Sequence, residues 1–93
     1  MNLLVQQVLA IAEKAHSDAT ARPGETREII EAARSQVSAK ILETDNLEGG
    51  QYERPLRDFC GSTLGFLGTR ERSQDGRDCN SSLYALQQRA EKL

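Results

Sequence analysis

Ninety-three residues with 14 acidic and 12 basic side chains, one histidine and 38% apolar residues describe one small folded domain, 1–93, rather than a disordered tail. Aromatic residues are only 4%, so the core must be built from Leu, Ile, Val and Ala. A net charge of −2 argues against nucleic acid or an anionic membrane as a ligand held by bulk electrostatics, and no apolar run approaches the ~20 residues of a membrane span.

Asn2 is placed to cap a first helix that runs to about Ala15 or Thr20. Leu4, Val5, Val8, Ile11, Ala12 and Ala15 recur at spacings of three and four, which is the stripe of an amphipathic helix. Leu3 and Leu9 lie off that stripe and widen the apolar surface beyond what one neighbouring helix covers, which fits first a helix buried between two others and second a partner-binding face. Ala19-Thr20-Ala21 has the small-x-small form of a signal cleavage site. No basic residue precedes Leu3, however, and polar pairs interrupt the apolar run, so a cytoplasmic protein is expected.

Ala21-Arg22-Pro23-Gly24 breaks the periodicity and reads as a turn. A second helix is expected from about Glu25 to Leu42, with Ile29, Ile30, Ala33, Val37 and Ile41 as its stripe. Glu25, Glu28 and Glu31 crowd its first turns, where the helix dipole favours negative charge, and Glu31 can pair with Arg34. Thr44–Gln51 is the clearest loop, with Gly49-Gly50 free to reverse the chain.

Arg54–Thr69 is the most distinctive stretch. Pro55 suits the first turn of a third helix. Winding it at 3.6 residues per turn gathers Leu56, Phe59, Cys60, Thr63, Phe66 and Leu67 on one face. Gly61, Ser62 and Gly65 fall on the other side, making a flat surface that another backbone can approach. Gly68 is expected to cap the helix end. A short strand at Thr63–Leu67 is the competing assignment, which the glycines weaken.

Thr69–Asp78 is polar, with Asp75-Gly76 as a turn signal. A last helix, capped by Asp78 or Asn80, carries Leu83, Leu86, Ala90 and Leu93 at 3-4-3 spacing. The fold class expected is therefore all-α: three to four short amphipathic helices joined by loops at 21–24, 44–53 and 69–78.

The chemistry is mostly notable for what is missing. His16 is the only histidine and reads as a surface residue. It forms no metal cluster with Cys60 and Cys79, which lack Cys-x-x-Cys spacing. Cys60 lies on the apolar face, where a thiol is inert, whereas Cys79 borders the polar loop; both are expected to be reduced. Gly61-x-x-x-Gly65-x-x-Gly68 lacks the Gly-Lys-Ser/Thr ending of a phosphate loop and a leading strand. Glu28 and Glu31 share a face without signs of burial.

No catalytic residue, cofactor, metal ion or small-molecule substrate is expected. The function expected is binding of another protein, as an adaptor, regulator or inhibitor. Its surface would comprise Leu3, Leu9, Gly61, Gly65, Arg70, Arg72, Arg77 and Tyr84, and a homodimer would supplement a thin core. The alternative is a nucleic-acid-binding regulator using the Arg70–Arg77 loop and the last helix. A small enzyme using surface carboxylates ranks last.

Overall fold

The computed structural model describes residues 3–45, 53–73, 76–77 and 79–93. Four α-helices are present: α1 Leu3–Ala21, α2 Thr26–Asp45, α3 Glu53–Arg72 and α4 Cys79–Glu91, with a 3-10 turn at Pro23–Glu25. The described residues contain no strand, so Thr63–Leu67 is helical. The expected cap at Asn2, the loop at 46–51 and the residues Asp75 and Asp78 lie outside the described residues.

α1, α2 and α3 pack against one another, and α4 joins from the side against α3 and α1. The stripes meet in one core. Val5, Val8, Ala12 and Ala15 of α1 face Ile30, Ala33 and Val37 of α2 and the whole predicted face of α3, from Leu56 to Leu67. Leu86 and Ala90 close the core from α4, while Leu4, Ile11, Ile29, Ile41 and Leu83 lie half-buried at its margin. Thr63 is the polar member of this face. Its hydroxyl donates to the Phe59 carbonyl at 2.9 Å, so it is buried without an unmet hydrogen bond.

Three boundaries differ from expectation. Between α1 and α2, Pro23 starts the 3-10 turn; Thr26 Oγ1 donates to the Pro23 carbonyl at 2.8 Å, and α2 begins one residue later than expected. At its far end α2 continues through Asp45. Gly68 is not a cap: α3 runs four residues further, and the chain leaves it where the Ser73 N–H donates to Thr69 and Arg70 carbonyls. Gly76 provides the left-handed backbone of the α3–α4 connection, at φ 73°. The expected Glu31–Arg34 pair is also replaced. Arg27 reaches Glu31 at 3.2 Å along α2, and Arg34 crosses to Glu71 of α3 at 3.4 Å. A cross-helix partner was within reach of Arg34, and Glu31 had a better neighbour one turn back.

Candidate partner surface

The helix ladder of α3 sets its two sides apart. Its inner face is filled by Leu56, Phe59, Cys60, Thr63, Phe66 and Leu67, all buried. Its outer face carries Arg54, Arg57, Asp58, Gly61, Gly65, Thr69 and Arg72, all exposed. Among the described residues, a methyl group built on Gly61 or Gly65 meets nothing within 4 Å beyond its chain neighbours and the adjoining turns of α3. The expected close contact against these glycines is therefore not made by any described part of the same chain. Ser62 and Thr69 on this side turn their hydroxyls back to the Asp58 and Gly65 carbonyls at 3.0 and 3.1 Å. Arg89 of α4 donates to Ser62 Oγ at 2.7 Å and marks one edge of the face.

The other expected surface residues are scattered. Leu3 and Tyr84 are exposed, at 68% and 63%. Leu9 is not a surface residue: it is 9% exposed and belongs to the core. α1 packs against α2, α3 and α4, so a residue off its main stripe is still covered. Arg72 and Arg77 are exposed.

Arg70 is the clearest correction. It is fully buried, so it belongs to no loop surface. Its guanidinium ties three elements together. Nε donates to His16 Nδ1 at 3.1 Å, Nη1 to the Ser73 carbonyl at 2.8 Å and Nη2 to Thr20 Oγ1 at 3.4 Å. Accepting at Nδ1 leaves the proton of a neutral His16 on Nε2, which faces Asn80 Oδ1 of α4 at 3.2 Å. His16 is thus half-buried rather than on the surface, with its ring centroid 5.9 Å from that of Phe66. Gly76 lies directly over the guanidinium, and a Cβ there would stand 3.0 Å from Arg70 Cζ and Nε. Among the described residues no carboxylate pairs with this buried cation; neutral acceptors hold it. The arrangement fastens the α3–α4 connection to α1, which is a structural task.

Cys60 and Cys79 are free and buried, and burial pushes the Cys60 thiol up from its ordinary range. The expected contrast in exposure between them is absent, because Cys79 opens α4 with its side chain in the core. Among the described residues no three His, Cys, Asp or Glu side chains are placed to hold a metal ion, and no helix is long and apolar enough to cross a membrane. No protein-family model, curated protein or solved structure matches the chain.

Proposed function

We propose that this protein catalyses no reaction and acts by binding another protein, as an adaptor, regulator or inhibitor, through the outer face of α3. One observation carries the reading. Gly61 and Gly65 sit in mid-helix, exposed, with open space above them. Each glycine costs the helix about 1 kcal/mol relative to alanine. Close packing by the described residues does not offset that cost, so a backbone brought by a partner is the natural compensation. Arg54, Arg57 and Arg72 border the flat strip and supply polar contacts around it. Two free thiols suit a reducing compartment such as the cytoplasm. The nucleic-acid reading loses its first arginine, because Arg70 is spent on His16, Thr20 and Ser73.

Pairing with a second copy is the other form of protein binding that a thin core favours. The partner reading is tested by affinity capture from the source cell with wild-type protein and with Gly65→Leu. The exposed site should accept leucine without unfolding, and the specific partner bands should disappear. Identical bands from the two proteins would refute the reading.

A further inference from the structure

The outer side of α1 meets α2 in an open groove of about 340 Å³, lined by Ala10, Ile11, Lys14, Asp18, Ile29 and Ala32 among others. Ile11 and Ile29 form its half-buried floor, and the exposed alanines Ala10 and Ala32 keep its walls low. Along α1 the outward ridge follows helical spacing: Leu3, Gln7, Ala10, Lys14, Asp18 and Ala21. A low ridge beside a shallow groove is the relief that a second helix packs against.

We infer that the chain pairs with a second copy of itself across a two-fold axis, α1 of each copy lying antiparallel along the α1–α2 groove of the other. Charge selects this occupant. A two-fold interface requires that residue i meet residue j while j meets i. Lys14 and Asp18 have opposite signs one turn apart on the same ridge, so antiparallel apposition places each lysine beside the other copy's aspartate. Within α1, which ends at Ala21, the same register sets Ile11 opposite Ala21, with no like charges opposed. Asp18 remains available: its contact to Arg22 is 3.8 Å long, with the arginine side chain 58% exposed. This face is separate from the outer face of α3, so the pairing and the foreign-partner reading stand or fall independently.

Sedimentation equilibrium of the full chain from micromolar to several hundred micromolar tests the pairing, with circular dichroism confirming unchanged helix content. Wild-type protein should approach twice the chain mass. Lys14→Asp and Asp18→Lys should each weaken association at least 10-fold, because each sets like charges opposite one another. The double variant Lys14→Asp/Asp18→Lys should restore it. A monomer mass for wild type throughout the range would overturn the inference. So would a dimer indifferent to the single changes, or a double variant that stays dissociated. A monomeric result leaves the capture experiment with Gly65→Leu to decide the α3 face by itself.

Discussion

Gly65 and Gly76 show the two uses of a missing side chain in one small molecule. Gly76 stands in the α3–α4 connection with φ at 73°, and any Cβ would press on the guanidinium of Arg70. Gly65 lies on the outside of α3, where a methyl group would meet none of the described residues beyond its own helix. The first glycine is required by the fold. The second, with Gly61, is a cost that the fold leaves uncompensated. The same contrast holds for the cations nearby: Arg70 is consumed by the interior, while Arg72, two residues on, is exposed.

The largest expected effect comes from removing what Gly76 packs against. Arg70→Leu takes the donor from His16 Nδ1 and the Ser73 carbonyl, both half-buried, and from the exposed Thr20 Oγ1. A fully buried unmet group costs about 1–3 kcal/mol and these partly wetted ones less, so urea unfolding should show a loss of about 2–4 kcal/mol. Arg70→Lys should recover less than half of it, since one ammonium does not reproduce the planar fork. Gly76→Ala comes next, at about 1–3 kcal/mol, from left-handed backbone and crowding together. If that variant is as stable as wild type, the tight contact over Arg70 is wrong. Smallest is Glu71→Gln, which breaks a half-exposed pair with Arg34. Its cost should stay below about 1 kcal/mol and shrink as salt is added.

Much of the interior was legible because helical periodicity is a local property. All six residues placed on the inner face of α3, Leu56 to Leu67, are buried, and the stripes of α1 and α2 line the same core. Arg70 was missed although it continues the 56, 59, 63, 67 spacing by one more step. A charged residue on an apolar stripe reads as the end of the stripe, and its acceptors His16 and Thr20 lie 54 and 50 residues away in sequence. His16 was misplaced for a related reason: its partners Arg70 and Asn80 lie 54 and 64 residues away. The place of Leu9 off the stripe fits a helix lying between two others as well as a partner face, and it is buried in the core. The Arg34–Glu71 pair, spanning 37 residues, was equally out of reach of a rule that compares positions three or four apart. The outer face of α3 was visible as a row of glycines, but whether anything packed there was a tertiary fact.

The central claim is that Gly61 and Gly65 serve no contact inside the chain, and thermal unfolding of Gly61→Ala/Gly65→Ala tests it most directly. Alanine should add up to about 1 kcal/mol at each position. In a domain of this size each kcal/mol raises the melting temperature by roughly 4–8 °C. The account predicts a clear rise for the double variant. A fall in melting temperature would show that the glycine strip is already occupied within the protein, and would contradict the account.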